Sequence, residues 1–222
     1  MPRVGAFFDL DRTLVACNTG RLFLRDLRRR GEISLVRVVR ALGWLLKYHF
    51  SLIDIESMAQ KILEGVRGHT ERDFEEHCRR LVEGHVLPRL LPDGLRKIEE
   101  HRAEGHLIAI LSTSPSYIAR PVAERLRMDD VLSTQLEVEG GRFTGRVVGP
   151  ACFGRGKVHW AELLGNKRSL DLDKSWFYTD SYTDLPMLER VGHRVIVNPD
   201  PRLRRTARQR GWSVENWAEA AA

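Results

Sequence analysis

The sequence predicts an α/β fold, a parallel sheet with helices on both faces, and two observations carry that expectation. Short continuous apolar runs, the kind that strands buried on both faces require, recur at residues 4–8, 107–111, 176–179 and 195–197. Between them lie helix-length amphipathic segments, the alternation from which parallel sheets are built. The chain has 222 residues, of which 42% are hydrophobic. That suits one domain, or one domain carrying an insertion, and excludes disordered and fibrous classes.

Taken in order, the first run is Val-Gly-Ala-Phe-Phe at residues 4–8, and the next comparable one begins only at Leu107. The intervening stretch reads as helices over residues 19–30, 34–49, 54–64 and 70–85, punctuated by Gly31, Gly65 and Gly68. It is expected to be a helical insertion spanning residues 16–91, with residues 1–15 and 92–222 forming the core. Pro88 and Pro92 favour an extended linker that returns the chain to the core near Leu91. Residues 135–148 form two strand-like runs around Gly140-Gly141, a hairpin expected to project from the main sheet. A helix through residues 185–190 and an arginine-rich one near the C-terminus complete the plan.

Composition narrows the function classes. Thirty-six Lys and Arg against 30 Asp and Glu give a net charge of +6, too modest by itself to imply a nucleic-acid partner, and none is expected. Cys17, Cys78 and Cys152 are scattered and lack C-x-x-C spacing, which argues against a disulfide framework or zinc site and for a reducing, cytoplasmic location. Asp9 and Asp11 interrupt the N-terminal apolar run before a signal-peptide core is reached, and the stretch at residues 41–46 is far too short to span a bilayer. No histidine has metal-ligand spacing; His77 and His85 flank Cys78 without forming a recognisable set.

The chemistry-bearing residues sit where apolar runs end. Asp9-Leu10-Asp11-Arg12-Thr13 places two carboxylates two residues apart at the carboxyl end of a strand, where open α/β sheets bind ligands. Two such close anions need a cation or a shared proton, and an all-oxygen donor set suits a hard ion such as Mg²⁺. The alternative is that Asp11 caps the following helix. The run at residues 176–179 ends in Asp180, with Asp184 four residues later. If the two strands are neighbours, four carboxylates converge on a pocket that needs Mg²⁺ and then accepts an anionic substrate; otherwise these are two unrelated surface turns.

Two further segments add anion-binding character. Ser112-Thr113-Ser114-Pro115 ends its run in hydroxyls just before a helix that Pro115 can start, and this serves either an anion or ordinary N-capping. Phe153-Gly-Arg-Gly-Lys157 brings a lysine to a helix start behind two glycines, but lacks the spacing of a Walker-type loop.

In this order and with these neighbours, the four segments resemble the motifs of the haloacid dehalogenase superfamily of phosphohydrolases, whose core is Rossmann-like. The helical insertion resembles the cap of the subclass that contains phosphoserine phosphatases. The resemblance implies Asp9 as nucleophile, forming an aspartyl-phosphate, and Asp11 as general acid and then base. It implies Mg²⁺ held by the Asp9 carboxylate, the Asp11 backbone carbonyl and Asp180, with Asp184 fixing the site. Ser112 and Lys157, joined by Thr13 and Thr113, are implied as the phosphate-binding groups. The implied partner is a small phosphorylated substrate.

The resemblance departs at one point. Phosphoserine phosphatases usually carry a Glu nine residues after the nucleophile to hold the substrate ammonium, and here that position is Asn18. Asn18, Arg21 and Arg25 are candidate substrate contacts from the cap, set against a plain solvated helix start. Phosphoserine-like, histidinol-phosphate-like and lipid-linked substrates stay open, as does transfer of the phosphoryl group to an acceptor other than water. Arg202, Arg204, Arg205, Arg208 and Arg210 admit a different class, a nonenzymatic binder of nucleic acid or anionic lipid; a solvated face is the competing explanation. The stripe Val36, Val39, Leu42, Gly43, Leu46 and Phe50 is expected to pack against neighbouring helices.

Overall fold

The computed structural model describes residues 3–31 and 67–218. The helices expected over residues 34–49 and 54–64, and the apolar stripe on the first of them, lie outside the described residues.

Six parallel strands form the main sheet: β1 (Gly5–Phe8), β2 (Leu107–Pro115), β3 (Asp130–Thr134), β6 (Trp176–Thr179), β7 (His193–Val197) and β8 (Val214–Glu215). Their order is β3-β2-β1-β6-β7-β8. From β1 the chain builds outward in one direction through β2 and β3, then returns to the other flank of β1 for β6, β7 and β8. The crevice beyond the carboxyl ends of β1 and β6 is therefore a topological switch point, the place where such sheets hold ligands.

Side chains on the strands alternate between two cores, which makes three layers. Ala6, Phe8, Ile108, Ile110 and Tyr178 face one core, where they meet Ile98 of α3 (Pro92–Ala103) and Ile118 and Val122 of α4 (Ser116–Arg125). Phe7, Ala109, Leu111, Phe177 and Ile196 face the other. There they pack on Ala161 and Leu164 of α5 (Arg155–Arg168), Met187 and Leu188 of α6 (Leu185–Arg190), and Leu203 and Ala207 of α7 (Pro201–Arg210). Burial on both faces is why the central strands read as unbroken apolar runs.

The insertion is described at its two ends, α1 (Thr19–Arg29) and α2 (Glu71–Leu81). Its entering and leaving segments pair with each other: Val15 bridges antiparallel to Leu90, Ala16 N–H donates to the Arg89 carbonyl at 2.8 Å, and Leu91 N–H to that of Leu14 at 2.9 Å. The extended return linker is shorter than the prolines suggested. After α2 the chain winds through a π-turn (Val82–Val86) and a 3₁₀ turn (Leu87–Arg89), and Pro92 opens α3. Proline needs no intrahelical partner in a first turn, so it punctuates here without unwinding the chain.

The hairpin of β4 (Leu136–Glu139) and β5 (Arg142–Val147) forms its own two-stranded sheet and docks on the insertion. Glu71 N–H donates to the Gly141 carbonyl at 2.9 Å and Phe143 N–H to that of His69 at 3.1 Å. Phe74 of α2 packs edge-on to Tyr117 of α4 and Phe143 of β5, and the Tyr117 hydroxyl donates to Glu71 at 2.7 Å. On α7, Arg202 lies 4.2 Å over the Tyr182 ring and Arg210 pairs with Glu189 at 2.5 Å, so part of the arginine face is engaged within the fold. No helix among the described residues is long and apolar enough to cross a membrane.

Candidate active site

β1 and β6 are hydrogen-bonded neighbours in register Phe8↔Tyr178, and Asp9 N–H continues the ladder by donating to the Tyr178 carbonyl at 2.9 Å. Asp9 and Asp180 are the residues that follow these strand ends, and both are buried. Lys157, in the first turn of α5, reaches across from the other side with 1% of its side chain exposed. Its Nζ donates to Asp9 Oδ1 at 2.9 Å and to Asp184 Oδ2 at 2.7 Å. The approach depends on Gly156, since a Cβ there would stand 1.9 Å from the Ala151 carbonyl oxygen. The glycines before the lysine thus serve tight backbone packing.

The turn after β6 is fixed by short polar side chains. The Thr179 hydroxyl donates to Asp184 Oδ2 at 2.6 Å, Ser181 Oγ accepts from Thr183 N–H, and Asp200 N–H donates to the Asp180 carbonyl at 2.8 Å. Asp200 Oδ2 in turn accepts from Tyr182 N–H at 2.6 Å, which links the turn to the start of α7.

Asp11 is half-buried, and its Oδ1 accepts from Thr19 N–H at 3.1 Å, at the first residue of α1. The helix-capping alternative is thus correct as a contact, and it does not remove Asp11 from the cluster. Asn18 is the N-cap proper, its side-chain oxygen accepting from Arg21 N–H at 2.9 Å. Arg21 and Arg25 are exposed, and Arg25 lines a separate pocket of about 200 Å³ with Asp26, Arg29, His85 and Arg89. The structure therefore gives Asn18 a capping partner and places Arg25 in a pocket whose lining includes none of Asp9, Asp11, Asp180 and Asp184.

Among the hydroxyls, Ser112 is buried and its Oγ accepts from Ser114 N–H at 3.2 Å. Ser114 Oγ lies 2.9 Å from Thr19 Oγ1. Thr13 is fully buried and its Oγ1 has no hydrogen-bond partner in the fold, a costly state for a hydroxyl unless a bound group completes it. Thr113 is exposed, with its carbonyl accepting from Thr134, so its side chain is not gathered with the others.

The electrostatics are those of too little positive charge. Burial would lower the Lys157 ammonium, but Asp184 and Asp9 more than reverse this and hold it above its ordinary value. The carboxyls are the under-compensated partners. Burial pushes Asp9 up against the pull of Lys157, and pushes Asp180 well above the usual range with the Asp9 charge adding to it. Asp11 is pushed up to about 7, first by desolvation and then by Asp9.

Arg12, held at φ 57°, supplies the cation nearest Asp180, but its NH1 is 3.9 Å away and the side chain is 42% exposed. From the sequence alone Arg12 is set aside as non-catalytic, Thr19 is only a candidate leaving-group contact and Thr179 is not singled out, because the partners that give these residues their roles are met only on folding. A buried, all-oxygen donor set with a poorly matched Asp180 and an orphaned Thr13 hydroxyl fits a hard divalent cation and an oxyanion.

The comparisons with known proteins agree with this geometry. Residues 6–189 match the family model described as haloacid dehalogenase-like hydrolase. A Mycobacterium tuberculosis protein named a phosphoserine phosphatase is 32% identical over 220 residues, covering 96% of this chain and 70% of that one. A Neisseria meningitidis protein named histidinol-phosphatase is 26% identical over 218 residues, 96% and 98% of the two chains. A crystal structure of a Bordetella pertussis protein of unknown function superposes with a TM-score of 0.86 at 28% identity, covering 96% and 98%. By sequence, fold and the gathering of its acidic residues around a buried lysine, the chain belongs to the haloacid dehalogenase-like hydrolases.

Proposed function

We propose that the protein is a Mg²⁺-dependent phosphatase of small phosphomonoesters that works through an aspartyl-phosphate on Asp9. The observation that carries this reading is the convergence of Asp9 and Asp184 from two strand ends on the buried ammonium of Lys157, with Asp180 and Asp11 close enough for the Asp9 charge to raise their carboxyls. The Asp9 and Asp180 carboxylates and the Asp11 carbonyl would hold the ion, which when bound supplies positive charge to the phosphoryl oxygens.

In the first step an Asp9 carboxylate oxygen bonds to phosphorus while the bond from phosphorus to the leaving oxygen breaks. Asp11, oriented by Thr19 N–H, gives that oxygen its proton. Asp11 then takes a proton from water, whose oxygen bonds to phosphorus as the Asp9–phosphorus bond breaks, releasing inorganic phosphate and restoring both carboxyls. Lys157 holds Asp9 in line and balances charge, and the Ser112 and Thr13 hydroxyls donate to phosphoryl oxygens. Asp184 acts through Lys157 and Thr179.

Because Asn18 stands where an ammonium-binding Glu is usual and is engaged as an N-cap, the leaving group is not selected by a carboxylate at that position. Phosphoserine and histidinol phosphate, for which two relatives are named, are the first substrates to test. The two buried thiols, Cys78 and Cys152, fit a reducing cytoplasm.

The test is phosphate release from these two esters and from an aryl phosphate, with Mg²⁺, for the wild type and for Asp9→Asn. Loss of turnover in Asp9→Asn by several orders of magnitude is expected. Equal Mg²⁺-dependent rates would overturn the reading.

A further inference from the structure

At the opposite end of the sheet from the carboxylates, helix α3 ends in a turn that brings two histidines together. His106 N–H donates to the His101 carbonyl at 3.0 Å and Gly105 N–H to that of Arg102 at 3.1 Å, with Gly105 at φ +73°. This is the Schellman arrangement, whose first and last residues place their side chains in contact, usually as an apolar pair. Here both are imidazoles, with the two Nδ1 atoms 2.8 Å apart.

Glu104, inside the same turn, puts a carboxylate oxygen 3.4 Å from His106 Nδ1, and the three ligand atoms all lie within 4.8 Å of one another. A tetrahedral ion with bonds of about 2.0–2.1 Å spaces its ligand atoms about 3.4 Å apart. The Glu104–His106 pair already has that spacing. The two nitrogens need to open from 2.8 Å, which His106, on the solvent side, is placed to do.

Two further features favour a cation there. The end of α3 presents the negative pole of the helix. His101 Nε2 lies 2.7 Å from the Tyr178 hydroxyl, a partner that fixes the ring and, with Nε2 as the donor, leaves Nδ1 a lone pair that here accepts from His106 Nδ1–H and that an ion displacing that proton would take.

We propose that His101, Glu104 and His106 form a surface-open site for a borderline divalent transition ion of the Zn²⁺ class. Two imidazoles and one carboxylate select against the hard Mg²⁺ of the acidic crevice, and the site does not depend on the phosphatase reading. The histidine spacing conceals it in the sequence, because the ligands are set by a helix end and not by a helix face.

The experiment is titration of the full chain with Co²⁺, read by its visible ligand-field absorption, and then displacement by Zn²⁺, with millimolar Mg²⁺ present throughout. We expect one equivalent bound in the micromolar range, and a rise in Tm with Zn²⁺. Affinity should fall tenfold or more in His106→Ala and in Glu104→Gln and stay unchanged in Asp180→Asn and His159→Ala. Glu104 is exposed, so its substitution keeps the test open if His106→Ala fails to fold. Unchanged binding in both site variants, loss in His159→Ala, or binding only at millimolar metal would overturn the proposal.

Discussion

Replacing Lys157 by Met tests the charge balance of the crevice directly. The substitution keeps an unbranched side chain out to the ε carbon and removes the ammonium of a side chain that is 1% exposed and bonded to Asp9 at 2.9 Å and Asp184 at 2.7 Å. Removing one partner of a buried ion pair costs about 3–5 kcal/mol, because the remaining charge is stranded. Asp184 retains the Thr179 hydroxyl at 2.6 Å, which favours the lower end.

The cost also depends on pH. Without Lys157, whose charge opposes the effect of burial on Asp9, the folded-state pKa of Asp9 rises further above that of the unfolded chain. Such a group is least harmful below the unfolded value near 3.8 and costs progressively more as pH rises through the folded one. Urea denaturation in EDTA at pH 8 and pH 5 is the assay: the deficit should be several kcal/mol at pH 8 and visibly smaller at pH 5. Adding Asp9→Asn to Lys157→Met should recover about 1 kcal/mol or more at pH 8, a coupling within the range of contacting residues. A variant within about 1 kcal/mol of wild type at pH 8, with no recovery in the double variant, would refute the claim that Lys157 offsets these carboxylates.

Asp180→Asn should be more stable than wild type in EDTA at pH 8, because it removes a carboxyl that burial and the Asp9 charge disfavour. The Asp180 carboxyl is raised in the fold, so its cost appears as pH rises and the difference should vanish toward pH 4. The same variant should lose the Mg²⁺-induced stabilisation, which in wild type should reach about 2.7 kcal/mol at a hundredfold excess over Kd. Gly156→Ala, whose Cβ would meet the Ala151 carbonyl at 1.9 Å, should cost about 1–3 kcal/mol and reduce turnover through the adjacent Lys157. In urea titrations Gly84→Ala, with open space around it, should stay within about 0.5 kcal/mol of wild type. Burial pushes the Cys78 and Cys152 thiols up to about 12, so at pH 8 a thiol reagent should leave both unlabelled until urea unfolds the chain. Rapid labelling of both in the native protein would count against the buried core as described.

The legible parts of the fold are those where burial imposes a pattern. β1, β6 and the first half of β2 are enclosed on both faces, and their apolar runs could be read directly. β3 escaped notice because Asp130-Val-Leu-Ser-Thr134 lies at the sheet edge with only its last three residues buried, and β8 because two residues make no pattern. The hairpin was legible from Gly140-Gly141, whereas its docking on residues 68–71 is a long-range pairing with no local signature. Helix α2 was read through to residue 85. The backbone instead widens into a π-turn at Val82–Val86, where Val82 and Val86 are buried as they would be in a continuing helix, so burial gives no warning of the change.

The candidate site divides along the same line. Its acidic residues could be found because strand ends are where such sheets place chemistry, but the contacts that orient them join residues distant in the chain: Lys157 to Asp9 across 148 positions, and Thr19 to Ser114 across 95. Asp11 shows why local reading left two explanations standing. The carboxylate that belongs to the acidic cluster is the same one that receives the first N–H of α1, and the next hydroxyl on α1, that of Thr19, meets Ser114 beside Ser112. A helix start that opens the insertion is thereby bonded to two separate strand-end segments of the core. Any displacement of α1 must break or carry with it the hydrogen bond on Asp11, so in this architecture helix capping and the placing of the proposed general acid are one interaction.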